Sequence, residues 1–541
     1  MAILSVDWWR SFCKSHGLIY ALLGVTITCL TILTIVFGAL WGGGCNTSST
    51  PSSAVYAVEK GTIGFPIRLP NDGRYVQWTF LHLNDVYEML PLDMGRKGGL
   101  ARVGRIRQLL LKENSKTYTF LAGDLVSPSA LSQSIVNGTA LNGRQMIAIM
   151  NTLGLDFMTF GNHEFDLNQT ELTARMNESK FTWISSNVFR EEGDQPFASS
   201  IPYKLITIEG VHILIIGLTI DTNDPYVRII NQSSLVTYTQ QFLTAFPNGT
   251  YDVLVGLTHL DIATDIQLVE KIPQIDLILG GHEHEDYYYL RGTEYTPIYK
   301  ADANAFTVYI HRCAYNLDTK RLRIYSTLAQ VTPDVQDEEK TAMVANYWFN
   351  LGIQGFEAIG FQPNKIVSCL PAGVELDGRS ESVRSANTVL TDLICESMIE
   401  ATALSGTTIG VFNSGAIRVD DVLRNTIDQY DILRTLPFAD YILALSVPGQ
   451  LLARVLSTGI SIKGDGMFLS YTGVQTSDQG KTWLVNGVDI SISNLNYNVA
   501  TTDYARANTE FNNTNATILQ HTNMTQTQSL INYLNTKYPP C

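Results

Sequence analysis

Five apolar stretches between residues 76 and 284 each run out into side chains that bind metal ions. VQWTFLHLND ends at Asp85, YTFLAGD at Asp124, LDFMTFGNH at Asn162 and His163, DVLVGLTH at His259, and DLILGGHEH at His282 and His284. Taken singly, each is a polar residue closing a strand. Five of one kind in a single region, three of them with glycine directly before the ligand, point to a common purpose. Glycine lets the chain turn sharply and lets an ion come close to the backbone. The donors are Asp, Asn and His without Cys, a set that suits Zn²⁺, Mn²⁺, Fe or Co rather than a structural zinc cage. Two ions ~3.5–4 Å apart need a bridging carboxylate, and Asp124, behind its turn glycine, is placed for that role. Such a pair lowers the pKa of a shared water and clamps a phosphoryl group, so no serine or cysteine nucleophile is required.

These residues are far apart in sequence, so the elements around them must bring them together. From about residue 76 short apolar β-type runs alternate with helix-like stretches, the texture of an α/β domain. In an open α/β sheet the carboxyl ends of the strands face one crevice, where ligands bind. GGLARVGRIRQLLLKEN places Leu100, Val103, Ile106, Leu109 and Leu110 on one helical face. PDVQDEEKTAMVANYWF opens acidic and continues helically, an interdomain helix within a 335–365 linker. The expected domains are therefore 76–334 and 366–541, and there is no internal repeat.

The blocks NDVY, AGDLVS, GNHEFD, GLTH and GGHEH resemble the calcineurin-like metallophosphoesterases and, more closely, the 5′-nucleotidase family. GNHEFD is the most specific of them. The resemblance implies a sandwich of two β-sheets flanked by helices, joined to an α/β substrate-binding domain. It also implies two divalent ions, one held by Asp85, Asp124 and His284 and the other by Asp124, Asn162, His259 and His282. His163, oriented by Asp166, would stabilise the transition state or protonate the leaving oxygen. An imidazole held by a carboxylate is a good proton donor near neutral pH. The chain departs from the family at Tyr87, which stands where D-x-H has histidine. Three arrangements are open: a water replaces the imidazole and the first ion is held more weakly, Tyr87 ligates directly as a phenolate on a hard ion, or the site is degenerate. Retention of every other ligand favours a working site.

The order of motifs after 366 resembles the C-terminal domain of the same family. Arg384 precedes an amphipathic helix in RSANTVLTDLICESM, VFNSGAIRVDD carries Asn413 and Arg418, LPFAD carries Phe438, and YNVATTDYARANTEF carries Tyr504. By that resemblance Arg384, Asn413 and Arg418 contact a nucleotide, and Phe438 and Tyr504 hold its base between two rings. Stacking of this kind contributes ~1–3 kcal/mol per base and tolerates different bases. The family's GGDG turn is replaced by ANTEF, with Glu510 at the position of the ribose-binding aspartate.

The bulk properties set limits. A formal net charge of −14 with no basic stripe argues against nucleic-acid binding, so attraction for an anionic substrate must be local. Leu18–Trp41 is an uncharged run of 24 residues preceded by Arg10 and Lys14. Its length suits a membrane span, and the preceding charge places residues 1–17 in the cytoplasm. The expectation is a single-pass type II cell-membrane protein with a stalk over 42–75 and an extracellular or lumenal bulk; a cleaved signal peptide and a lipid-modified Cys45 are the alternatives. Nine glycosylation sequons agree with exposure. The cysteine pattern, without a CxxC pair, allows one or two bridges and excludes a dense disulfide framework. The favoured activity is hydrolysis of nucleoside 5′-monophosphates. Its rivals are hydrolysis of another small phosphoester (a nucleotide diphosphate sugar, a cyclic nucleotide or a sugar phosphate) and a catalytically inactive ligand-binding surface glycoprotein.

Overall fold

Strand β1 (Tyr75–Leu83) shows how the first domain is layered. Its Trp78 and Phe80 join one buried apolar cluster, while Leu81 and Leu83 join another. A strand buried on both faces must feed two cores, because successive side chains point to opposite sides. In the computed structural model, which describes residues 73–541 apart from 223, those cores lie either side of a six-stranded sheet.

The remaining strands of the first domain's two large sheets are β2 (Thr117–Ala122), β3 (Phe157–Thr159), β4 (Thr182–Trp183), β5 (Tyr203–Ile208), β6 (Val211–Thr219), β7 (Val253–His259), β8 (Leu277–Gly281), β9 (Tyr287–Arg291), β10 (Thr296–Lys300), β11 (Thr307–Asn316) and β12 (Arg321–Gln330). They form two sheets, ordered β12-β11-β1-β2-β3-β4 and β9-β10-β8-β7-β6-β5. In each sheet the central strands run parallel: β1 with β2 and β3, and β6 with β7 and β8. Trp78, Phe80, Phe120, Ile213, Val255 and Leu279 fill the space between the sheets. Helices α1 (Leu100–Glu113) and α2 (Arg144–Leu153) share a core with the outer face of the first sheet, and α3 (Gln232–Leu243) and α4 (Ile262–Lys271) with that of the second. The expected helix is α1, and all five of its apolar positions are buried. This is the expected sandwich of two sheets flanked by helices.

Helix α5 (Glu339–Ala358) occupies the predicted linker and packs along the first domain. It lies close to its neighbour because Gly352 has no side chain; a Cβ there would stand 2.2 Å from Leu131. The second domain is a five-stranded sheet with apolar clusters on both faces. Asn413 ends its strand β13 (Ile409–Asn413), and Arg384 precedes helix α6 (Val389–Ala401), which is capped by the Thr388 side chain. One disulfide, Cys369–Cys541, ties the start of this domain to the chain end, and Cys313 and Cys395 are buried thiols.

Among the described residues no helix is long and apolar enough to cross a membrane. The Leu18–Trp41 run, residues 1–17 and most of the 42–75 stalk lie outside them, and the first strand begins at Tyr75, one residue before the expected domain start.

Candidate metal centre and substrate cleft

The expected ligands meet because the parallel strands end at one rim. Asp85 follows β1, Asp124 follows β2, Asn162 and His163 follow β3, His259 ends β7, and His282 and His284 follow β8. Three of these residues have left-handed backbones without being glycine: Asp85 at φ 52°, Asp124 at 58° and His282 at 91°. Such conformations persist only where the surroundings enforce them, and they concentrate at functional sites. The preceding glycines are forced by contact. A Cβ on Gly123 would lie 2.4 Å from the His259 ring, on Gly161 2.0 Å from the Asp124 carboxylate, and on Gly281 2.2 Å from the Ala122 carbonyl.

Hydrogen bonds fix which lone pairs face the centre. His259 Nδ1 lies 2.8 Å from the Ala122 carbonyl and must donate to it, which leaves Nε2 bare. That bare nitrogen stands 3.1 Å from Asn162 Oδ1 and 3.4 Å from Asp124 Oδ2. His284 Nδ1 likewise donates to Asp420 Oδ2 at 2.8 Å, so its Nε2 is also a lone pair, 3.7 Å from Asp85 Oδ1. Asp85, Asp124 and His259 are buried and hold ligand atoms within 4.8 Å of one another. His282 completes the group, its ring 5.3 Å from that of His259. Electron-pair donors packed this closely need a cation among them, so the residues fit a divalent metal ion. Without one His259 itself would take the charge. Burial pulls its pKa down, but Asp124 and Asp85 outweigh that and raise it to about 10. His282 is held well below the usual imidazole value by burial and by the neighbouring His259.

Residues that the sequence reading passed over hold this arrangement. The Glu164 carboxylate accepts from the backbone N–H of Asp124 at 2.9 Å, of Leu125 at 2.7 Å and of Gly161 at 2.6 Å, clamping two ligand loops together. Lys300, fully buried, donates to the carbonyls of Leu260 at 2.5 Å and Gly281 at 2.8 Å and pairs with Asp265 and Glu283. It thereby fixes the backbone on either side of His259 and His282. Asp420 orients His284 from the second domain. Glu164 was legible inside GNHEFD and Asp420 two residues after Arg418; Lys300 has no sequence signal.

The Tyr87 hydroxyl lies 2.8 Å from Asp124 Oδ2, 3.2 Å from His284 Nε2 and 3.3 Å from Asp85 Oδ1. It is therefore inside the centre.

Beside the centre opens a cleft of about 580 Å³ whose walls come from both domains. Asn162, His163, Asp166 and His282 line one side, and Arg384, Asn413, Arg418, Phe438 and Tyr504 the other. His163 Nδ1 donates to Asp166 Oδ2 at 2.9 Å, and its Nε2 accepts from Arg418 at 3.0 Å. Burial raises the Asp166 carboxyl, but the adjoining imidazole outweighs it and the net shift is downward. Arg418 also lies 5.7 Å from the centre of the Phe438 ring. Arg384 Nε, Arg418 Nε and Asn413 Oδ1 are buried without a hydrogen-bond partner among the described residues. Burial, then the nearby Arg418, lowers the pKa of Arg384, as expected of two guanidiniums awaiting an anion.

Glu510 is not brought to the cleft. It pairs with Arg454 at 3.1 Å on the surface, because Phe511 beside it is fully buried and turns the ANTEF segment outward. The carboxylates of the second domain that line the cleft are Asp440 and Asp465.

Comparison with known proteins agrees with this construction. Residues 79–286 match the calcineurin-like phosphoesterases, and residues 371–515 match the 5′-nucleotidase C-terminal domain. The trifunctional nucleotide phosphoesterase YfkN of Bacillus subtilis is 24% identical over 451 residues, 75% of this chain but 29% of that protein, so the chain spans less than a third of its length. A snake venom 5′-nucleotidase from Gloydius brevicauda is 24% identical over 484 residues, covering 80% of this chain and 78% of the relative. Among solved structures, the 5′-nucleotidase precursor of Thermus thermophilus superposes with a TM-score of 0.71 at 20% identity, over 85% of this chain and 97% of that one. The sulfate thiohydrolase SoxB of the same organism gives 0.65 at 14% identity, over 87% and 96%. At these identities the structural likeness is one of fold. The two matched domains, in this order and with this site between them, place the chain in the 5′-nucleotidase family, as a metal-dependent phosphoester hydrolase.

Proposed function

We propose that this chain hydrolyses nucleoside 5′-monophosphates to nucleoside and phosphate. The observation that carries this reading is the shared cleft: a cation-demanding cluster on one wall faces two arginines with unpartnered nitrogens and two aromatic rings on the other. Divalent ions there, one held by Asp124, Asn162, His259 and His282 and a second beside Asp85 and His284, would lower the pKa of water and offset phosphoryl charge. Arg384 and Arg418 bind the anionic end, as planar donors suited to phosphate oxygens. Phe438 and Tyr504 hold the base. His163, kept in place by Asp166, carries the proton for the leaving oxygen. In this arrangement Arg418 occupies its Nε2, so substrate must draw Arg418 to the phosphate before that nitrogen can act.

The same cleft supports a second reading. With Glu510 turned away, no residue at that position holds a ribose, which favours a phosphoester whose sugar is recognised differently. Phosphate release from AMP, UMP, UDP-glucose and a simple sugar phosphate at equal concentration, with Mn²⁺, Zn²⁺, Co²⁺ or chelator, tests both. Turnover of AMP and UMP supports the nucleotidase reading, and turnover of the sugar phosphate alone replaces it. No turnover with any metal, together with measurable nucleoside binding, favours the catalytically inactive ligand-binding glycoprotein. Membrane anchoring and a type II orientation rest on the Leu18–Trp41 run and on Arg10 and Lys14 of the sequence.

A further inference from the structure

Stacking rings accept any base, so a choice among bases must come from a polar group beside them. Two carboxylates of the second domain line the cleft, at different ends of it. Asp465 belongs to the arginine end: Gly464 N–H of its loop donates to the Arg384 carbonyl at 2.9 Å, and Asp465 Oδ1 accepts from Met467 N–H at 2.7 Å. Asp440 belongs to the ring end. It stands two residues after Phe438, and strand pairing carries it to Tyr504. Tyr441–Pro448 and Asn496–Thr502 run antiparallel, with Ile442 opposite Thr502. One residue outward, Asp503 Oδ1 accepts from Tyr441 N–H at 3.1 Å and from Tyr504 N–H at 2.8 Å, which clips the two segments together. The Asp440 carbonyl is also tied down, accepting from Gln526 N–H at 2.9 Å. Its side chain is not: among the described residues none donates a hydrogen bond to the Asp440 carboxylate or pairs with it. Burial first, and then the Asp503 carboxylate, raise its pKa to about 6, as expected of a partly desolvated acceptor without donors.

An ionised carboxylate offers two acceptor oxygens and no donor. Among the common bases, guanine alone presents two adjacent N–H donors on its pairing edge, N1–H and the 2-amino group, which two such oxygens accept in parallel. Adenine and cytosine set one amino group beside a bare ring nitrogen, and uracil flanks its single N–H with carbonyls. Each of these turns a lone pair toward the second carboxylate oxygen. Hypoxanthine is guanine without the 2-amino group. We propose that Asp440 selects the base, its carboxylate accepting from N1–H and the 2-amino group of a guanine held between Phe438 and Tyr504, so that GMP is the preferred substrate. The inference rests on the nucleotidase reading and names its substrate. The rings admit every base, and Asp440 ranks them.

The test compares kcat/KM for GMP, IMP and dGMP on the full-length chain with each of Mn²⁺, Zn²⁺ and Co²⁺. It is run at about pH 8, above the range in which Asp440 protonates, for the wild type, Asp440→Asn and Asp440→Ala. The wild type is expected to favour GMP over IMP by roughly 10–100-fold, the effect of one hydrogen bond to a charged group, and to treat dGMP like GMP. Both variants should bring GMP down to the level of IMP. Each ratio is read within one preparation, so a loss of folded enzyme does not move it. Equal turnover of GMP and IMP by the wild type overturns the inference, as does a GMP preference that survives Asp440→Ala. A wild-type preference for GMP over dGMP that Asp440→Ala removes also overturns it, since the carboxylate would then be holding the ribose. Turnover of none of the three with any metal overturns the nucleotidase reading and this inference together, whereas equal turnover of all three overturns this inference alone.

Discussion

The two walls of the cleft are built in opposite ways. On the metal side every ligand is buried or nearly so, three backbones are held in strained conformations, glycines admit the close approaches, and Glu164 and Lys300 fasten the loops. On the substrate side Tyr504 is 45% exposed, and Arg384, Arg418 and Asn413 each have a polar atom without a partner among the described residues. One wall presents a fixed set of donors. The other presents surfaces suited to an anion and a flat apolar body. Preorganised charge is most effective where charge develops in the reaction, while a binding wall that accepts different bases needs surfaces more than fixed hydrogen bonds. Under the proposed function chemistry and recognition fall to different domains, and Asp420 on His284 and Arg418 on His163 are the contacts between them.

Breaking the metal side should do most damage. His259→Ala is expected to abolish phosphate release, a loss beyond the roughly 10–100-fold typical of removing a residue that only supports a ligand; activity above a tenth of wild type would separate the cluster from catalysis. Asp420→Asn tests the junction and should fall within that 10–100-fold range, with weaker metal retention under chelator titration. Unchanged metal affinity would show that the second domain does not tune the centre. On the substrate side Phe438→Ala should raise KM by roughly 10–100-fold, matching ~1–3 kcal/mol of stacking, with kcat less affected; an equal fall in kcat alone would place Phe438 in the chemistry.

The smallest effect concerns the seam between the walls. Burial raises the Glu88 carboxyl to about 6 against the opposing pull of Arg434, and Tyr430 donates to it at 3.3 Å. A raised carboxyl binds its proton more readily when folded. Its contribution is therefore fully present below about pH 4.5 and is lost as pH rises through about 6, a span on the order of 2 kcal/mol. Glu88→Gln should remove that part of the slope in urea midpoints measured between pH 4 and 7. A slope unchanged by the substitution would show that Glu88 is not held protonated across the seam.

The metal wall could be read from sequence because each ligand closes an apolar run and three follow a glycine, signals that are local. Helix α1 was legible through an equally local signal, its periodicity, whereas the sandwich was expected from the resemblance of the motifs to the calcineurin-like family. Residues acting across long separations were not legible. Lys300 reaches Leu260 and Gly281 from the end of β10, the strand beside β8, and Asp420 reaches His284 from another domain. Glu510 fails for a local reason: without the family's glycines, packing of Phe511 decides which way the turn faces. Tyr87 reads from sequence as a departure, and only the distances around its oxygen place it among Asp85, Asp124 and His284.

Diffraction data from metal-loaded crystals, collected at the absorption edge of the bound element, test the central claim most directly. The account predicts an anomalous peak ~2.0–2.2 Å from Asp124, Asn162, His259 and His282. A peak elsewhere, or none at full occupancy of the added metal, would contradict it.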